Sequence, residues 1–388
     1  MRMPPKFAAI ALVVWTGTLP AIARCAPPAP APPLPPGPVL QRVSMPPNLL
    51  PDDLFDRDRA TLLRSLDYSL QYIELPSAQR RYPMAGIERE RVARSLRRFR
   101  ELVLTVPNAT ALKTAVQQEF DFYRSVGRNG QGEVLFTGYY EAVYPASRTR
   151  TAEYRYPLYR LPADFAQWRR PHPPRRVLET GRPLAGSELV WLRDRFQAFL
   201  IHIQGSARLQ LTDGTVMTVG YAGKTDRPYT SIGRELGCDG KIPQQGVTLQ
   251  TLIDYFRQNP QDLAEYLPRN ESFVFFRETN GQPPTGSLGF PVLPERAIAT
   301  DRSLMPAGAL ALFQTQLPFR TPQGTFVQRP VTRFALDLDT GGAIRSPGRV
   351  DIFMGTGDEA KARAGEIATV GTLYYLLLKE DSGSVAAF

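Results

Sequence analysis

The segment "ALDLDTGGAIRSPGRVDIFMGTG", residues 335–357, carries Asp339 and Asp351 twelve positions apart in an apolar, glycine-rich setting. Carboxylates in such surroundings suit acid–base work, because desolvation favours the protonated acid and brings it toward the pH at which it can give and take a proton. An apolar strand running into Asp339-Thr340-Gly341 is also the short signature of aspartic proteases. Those enzymes need two such aspartates sharing a proton, from two copies in one chain or from a dimer of short chains. This chain is long and has one copy.

Other chemistries find less support. The chain has two histidines, His172 in the loop "RRPHPPRR" and His202 in the strand-like "FLIHIQG". No cysteine or histidine group has metal-ligand spacing, so neither metal nor cofactor is expected. Nothing resembles a nucleophile elbow, and His202 reads as a strand residue with a satisfied ring.

The elements that must position the aspartates follow from periodicity. Residues 57–73 place Leu63, Leu66, Leu70 and Ile73 on one helical face. Residues 90–104 do so with Val92, Leu96, Phe99 and Val103, and residues 110–123 with Leu112, Val116, Phe120 and Tyr123. From Glu133 the pattern turns to strands, with "EVLFTGYYEAVY" and "YRYPLYRLP" rich in aromatic residues. Residues 207–221 alternate on both sides of Asp213-Gly214, a hairpin signal. Short helices are expected at 248–257 and 260–267. The last hundred residues return to strands, interrupted by the helix "DEAKARAG" with Asp358 and Glu359 in its first turn and Gly365 at its end.

At 388 residues and 43% apolar, the chain can hold two domains and is not disordered as a whole. Residues 1–24 run from basic Arg2 and Lys6 through "FAAIALVVWTG" to Ala21-Ile22-Ala23, the pattern of a secretory signal. Thr16, Gly17 and Pro20 end the apolar run before the roughly twenty residues that a spanning helix needs. The chain is therefore expected to be exported. Cys25 follows where a lipoprotein carries its lipid, although Arg24 stands where a small residue is usual, and residues 25–48 read as a proline-rich tether. If Cys25 is lipidated or removed, Cys238 has no intramolecular partner and no disulfide framework holds the fold; the alternative is a Cys25–Cys238 bridge. Removing Arg2, Lys6 and Arg24 takes three charges from the formal +10 and leaves +7 on the mature chain. Outside the membrane, that balance points to an anionic wall polymer or lipid surface and not to nucleic acid.

A series of segments, in order, resembles the membrane-bound lytic murein transglycosylase A family with its 3D domain. They are "FTGYYEAVYPASRTRTAEYRYPLYRLP", "IQGSARLQLTDG", "GYAGKTDRPYTSIGREL", "NESFVFFRE", "GSLGFPVLPERAIATDRSLMPAGAL" and "ALDLDTGGAIRSPGRVDIFMGTGDEAKARAG", spread over roughly residues 85–378. The resemblance implies an exported enzyme, periplasmic or anchored to the outer membrane by a lipid on Cys25, that cuts the β-1,4 bond between N-acetylmuramic acid and N-acetylglucosamine in peptidoglycan. The cut uses no water and leaves a 1,6-anhydro ring. It implies an α+β, mainly β fold, with a double-psi β-barrel from residues 49–140 and 286–388 and an inserted β-rich substrate domain at 141–285. The glycan would lie in the groove between them.

The family's three aspartates fall on Asp301, Asp339 and Asp351. Asp351 matches the catalytic acid, Asp339 a supporting charge, and Asp301 a residue that is either structural or bonded to sugar. Relative to some members the chain has one residue more near "SPGR". Thr137, Gly138, Tyr139, Gln204, Gly205, Ser206, Tyr221, Lys224 and Tyr229 occupy the matching stretches and are the expected glycan contacts, with tyrosines offering an apolar face and a polar tip. Glycan strands are the expected partner, with wall-synthesis proteins as further ones. The rival readings are a non-catalytic wall-binding protein and an aspartic protease.

Overall fold

The computed structural model of the chain describes residues 37–46, 49–244 and 247–380. The signal, most of the tether, and Cys25 with the lipidation and Cys25–Cys238 pairing that turn on it, lie outside the described residues. Strand β1 (Leu40–Val43) falls inside the expected tether, where it pairs antiparallel with a later strand and buries Leu40.

Helices α1 (Phe55–Ile73), α2 (Pro76–Gln79), α3 (Arg89–Thr105) and α4 (Ala109–Glu119) follow. In α1 the fully buried stripe is Leu62, Ser65, Leu66, Ser69, Tyr72 and Ile73, while Leu63 and Leu70 are half-buried. The expected third helix ends early: Asn108 caps α4 by accepting from the Ala111 amide at 2.9 Å, but Phe120 is already extended and opens β2 (Phe120–Ser125). Phe120 and Tyr123 continue a helical spacing from Leu112 and Val116, yet Phe120 and Phe122 bury as alternate strand residues, and pairing with β1 overrides the period.

The chain then enters β3 (Val134–Ser147), β4 (Tyr156–Tyr159), α5 (Arg175–Leu178), β5 (Glu188–Leu192), α6 (Arg195–Gln204), β6 (Ser206–Leu211) and β7 (Val216–Lys224). The last two form the hairpin expected at Asp213-Gly214. Helices α7 (Ile232–Cys238), α8 (Leu249–Gln258) and α9 (Leu263–Tyr266) lead to β8 (Val274–Glu278). The C-terminal part holds β9 (Ala297–Ala299), β10 (Leu310–Arg320), β11 (Phe326–Asp339), β12 (Arg349–Thr356), α10 (Gly357–Gly365) and β13 (Ala368–Leu378).

These strands join in one hydrogen-bonded network with two regions that share β3. In the first, ladders run β13–β10–β11–β9–β12–β3 and return from β3 to β13; β11–β9 and β12–β3 are parallel and the rest antiparallel. In the second, the far half of β3 pairs parallel with β6 and antiparallel with β5, and the sheet continues through β7 to β8. The fold is thus mixed α+β and mostly sheet. One apolar core runs through both regions and includes Phe136, Ile298, Leu336 and Val350 from the first and Ala146, Leu209 and Phe276 from the second. Residues from α6 to α9 add a smaller core around Phe196, Phe199, Leu236 and Phe256. No helix among the described residues is long and apolar enough to cross a membrane.

Candidate active site

Short strand β9 sits between β11 and β12, and this sets the geometry of the aspartates. Ala299 is in register with Asp339 on one side and Asp351 on the other, and Thr137 of β3 follows Asp351. With neighbouring strands about 4.8 Å apart, the backbones of Asp339 and Asp351 stand about 10 Å from each other. A break in the β11–β9 register lies between Asp337 and Asp339, and such bulges re-aim a side chain. Asp337 therefore points into the core while Asp339 reaches the surface of the row.

Asp351 keeps 19% of its side-chain surface exposed and accepts a hydrogen bond from Thr137 Oγ1. Arg349, two residues earlier on the same strand face, places Nε 3.5 Å from Asp351 Oδ1 and Nη2 3.4 Å from Thr137 Oγ1. Asp339 collects three donors: the Ser287 and Thr340 amides at 2.8 Å each and the Tyr139 hydroxyl at 2.9 Å. Burial pushes its pKa up, and those donors work in the opposite direction by holding the carboxylate. Burial and the adjoining Asp339 also push the Tyr139 hydroxyl well above the ordinary tyrosine value, so it stays a donor. None of Asp339's three partners is a carboxylate, and an aspartic-protease dyad needs one in contact.

Asp301 is buried and its oxygens are occupied by the chain itself. Oδ1 accepts from the Ser303 amide (3.0 Å) and hydroxyl (2.6 Å), and Oδ2 accepts from the Ser346 amide at 2.9 Å. That last bond ties the turn after β9 to the loop 340–348, in which Ser346 has a φ of 76°. The same loop meets the inserted region, because a Cβ added at Gly342 would stand 3.6 Å from Lys224 Nζ and 3.6 Å from Tyr229 Cβ. Burial raises the Tyr229 hydroxyl, which also feels Arg349 and Asp351.

The structure thus brings Thr137, Tyr139, Lys224, Tyr229, Asp339 and Asp351 to one junction. Tyr221 is exposed on β7 in the field of Arg302, the residue after Asp301. Other expected contacts serve the framework. A Cβ on Gly138 would lie 2.8 Å from Ala364 Cα, so its missing side chain lets α10 pack on β3. Gln204 Oε1 accepts the Tyr140 amide at 3.0 Å where β3 changes partner from β12 to β6. Gly205, at φ 80°, closes α6, and buried Ser206 starts β6 opposite Gly220.

His202 lies on α6 and not on a strand. Its apolar neighbours Phe199, Leu200 and Ile201 are buried on several sides of the helix, so the segment lacks the polar face that marks a surface helix. Its ring accepts the Val274 amide at 3.1 Å and lies against Phe273 and Phe276. Burial holds its pKa well below the ordinary value. His172 likewise accepts from the Asp226 amide at 3.0 Å, while its own amide donates to the Asp226 carboxylate at 2.8 Å.

Sequence reasoning missed Asp337 and Arg349. Arg349 was visible as the residue two before Asp351, sharing its strand face. Asp337 was hidden because a carboxylate in "ALDLD" reads as a second surface position, whereas the bulge turns it inward. There it accepts from Thr300 Oγ1 at 2.7 Å and from the Tyr375 hydroxyl, and burial lifts its pKa to about 7.

The two regions and the acidic row at their junction define a class of two-part sheet protein, and comparison with known proteins agrees in both parts. Residues 135–277 match the MltA-specific insert domain and residues 296–377 the 3D domain. The chain is 31% identical over 267 residues to membrane-bound lytic murein transglycosylase A of Escherichia coli (strain K12), covering 68% of this chain and 71% of that protein. The corresponding Vibrio cholerae protein is 32% identical over 258 residues, covering 66% and 68%. Among solved structures, E. coli MltA with bound chitohexaose has 25% identity and a TM-score of 0.70, covering 88% of this chain and 95% of that one. A membrane-bound lytic murein transglycosylase from Agrobacterium tumefaciens has 26% identity and a TM-score of 0.69, covering 87% and 97%. The chain belongs to the membrane-bound lytic murein transglycosylase A family.

Proposed function

We propose that the protein is a lytic transglycosylase that cleaves the β-1,4 bond between N-acetylmuramic acid and N-acetylglucosamine in peptidoglycan, with Asp351 as its single acid and base. The observation that carries this reading is the row Asp339, Ala299, Asp351, Thr137, set at the junction of the two matched domains. The glycan lies in the groove between them, and the circuit of ladders through β13, β10, β11, β9, β12 and β3 is the double-psi barrel. Residues 49–140 and 286–388 build that part, with 141–285 inserted.

Ordinary glycosidases use two carboxylates, one to protonate the leaving oxygen and one to act as nucleophile or to activate water. Here the 6-hydroxyl of the muramic acid takes the second role. Protonated Asp351 donates to the glycosidic oxygen as the C1–O bond breaks, the 6-hydroxyl oxygen bonds to C1, and its proton passes to the Asp351 carboxylate. The nucleophile is already tethered, so its effective concentration is high without a second protein group. Thr137 and Arg349 fix the Asp351 carboxyl. Asp339, held by its three donors, offsets positive charge that develops on the ring, and Asp301 holds the loop.

The relatives are named as membrane-bound, which supports a place in the cell envelope, with Cys25 lipidation as the anchor to the outer membrane. Mass spectrometry of the mature amino terminus reads that directly. For the activity, purified sacculi are digested and the products weighed. Muropeptides lacking one water, with anhydro ends, are expected, and Asp351→Asn abolishes their release while sacculus binding persists. Reducing ends would mean a hydrolase, no release from the wild type would mean a binding protein, and turnover by Asp351→Asn would overturn the assignment of the acid.

A further inference from the structure

Three cations crowd the groove beside the acidic row. Lys224 ends β7 next to Gly342, and Arg345 lies in the same loop and acts on the Lys224 ammonium. Arg302 follows Asp301 and lies in the field of Asp339 and Tyr221. The Asp301–Ser346 bond joins the two loops, because Arg302 is the residue after one partner and Arg345 the residue before the other. No ion pair joins Lys224, Arg302 or Arg345 to a carboxylate among the described residues. Arg302 Nη2 is buried without a hydrogen-bond partner, and the Arg302 carbonyl accepts from Arg81, a further cation, at 3.0 Å. Partial burial, and after it the nearby Arg345, hold the Lys224 ammonium below the ordinary lysine value. Asp339 and Asp337 act on Arg302 only through space, and cations gathered without ion-pair partners are relieved by an anion.

We propose that Lys224, Arg302 and Arg345 form a carboxylate-binding subsite that takes the acidic substituent borne on the lactyl group of muramic acid. The inference rests on reading the groove as a glycan site, and it adds what the groove selects. N-acetylglucosamine units carry no carboxylate. The muramic acid lactyl group carries either a free one or, through an amide, a stem peptide with its own. The subsite thereby sets the register of the strand, since only every second sugar presents an acid to the cations.

The test separates this from the activity, because it reads binding. Dissociation constants of the mature chain are measured for peptide-bearing glycan strands, for strands stripped to free lactyl carboxylates by an amidase, and for chitohexaose. Arg345→Glu is expected to weaken at least one anionic strand roughly five- to ten-fold more than chitohexaose, the scale of one or two partly screened ion pairs. It should also flatten the salt dependence of strand binding. Lys224→Ala should shift the same ratio in the same direction, and circular dichroism checks that both variants fold. Loss on peptide-bearing strands alone identifies the carboxylates of the stem peptide, loss on stripped strands alone identifies the free lactyl carboxylate, and loss on both shows that the subsite takes either acid at that position. Equal losses on all three ligands, or none on the anionic strands, overturn the subsite. Absence of anhydro products from wild-type digestion overturns the catalytic reading instead and leaves these binding ratios to stand by themselves.

Discussion

Asp337 is the carboxylate of this site with a readable pH signature. Its pKa in the fold, about 7, exceeds the ordinary 3.8 because burial penalises the charge. Between those values the folded chain keeps a proton that the unfolded chain has released. The group's contribution to stability is thus whole below about pH 4 and falls as pH rises toward 7, by at most about 1.4 kcal/mol per pH unit. Asp337→Asn keeps an acceptor for Thr300 and Tyr375 but cannot titrate. The fall in Tm from pH 5 to pH 7 is expected to be shallower in that variant than in the wild type, and superimposable slopes would remove Asp337 as the cause. Asp351 stands two ladders away and keeps 19% of its side-chain surface exposed.

At the scale of elements, β3 carries the most. Its first half supplies Thr137 and Tyr139 to the acidic row, and its second half pairs with β6 and β5, so one continuous strand belongs to both sheet regions. Helix α10 braces it from behind at Gly138. Adding a methyl there sets a Cβ 2.8 Å from Ala364 Cα and 3.0 Å from the Ile367 side chain, closer than packed atoms sit. Gly138→Ala is expected to cost about 1–3 kcal/mol by urea unfolding, the usual penalty of overpacking. A loss within measurement error would mean that α10 yields freely and does not brace the strand.

Across the whole molecule, the segment ahead of the N-terminal helices is tied by charge to the C-terminal strands. Asp52, just ahead of α1, is fully enclosed with Arg296, whose Nη1 lies 2.5 Å from Asp52 Oδ2 and whose Nη2 lies 3.3 Å from Oδ1. The Leu54 and Phe334 amides, at 2.9 Å each, complete the carboxylate's shell. Asp53 pairs with Arg333 at 2.9 Å one residue on. Removing one partner of such a pair leaves a buried charge without compensation, which costs far more than the pair contributes. Asp52→Ala is therefore expected to lose about 3–5 kcal/mol of unfolding free energy. A loss under about 1 kcal/mol would show that the N-terminal helices are not anchored through this pair.

What was legible in the residues alone is the local chemistry and its order along the chain. Strand alternation, the Asp213-Gly214 hairpin and the helix "DEAKARAG" depend on neighbours a few positions apart, and the ordered segments from Thr137 to Asp351 carried the family. The lone Asp-Thr-Gly copy argued against a protease, and the resemblance of the flanking segments moved attention from Asp339 to Asp351. Contacts between distant parts were settled only by the tertiary structure. Pairing with β1 and β13 turned Phe120 and Tyr123 from helix to strand, packing on Phe273 and Phe276 placed His202 on a helix, and a bulge sent Asp337 inward. Periodicity records which face of a segment avoids water, and it is blind to which distant strand or ring will cover that face. Ala299 aligns Asp339 with Asp351 through two ladders of opposite direction, a register that no spacing within the chain encodes.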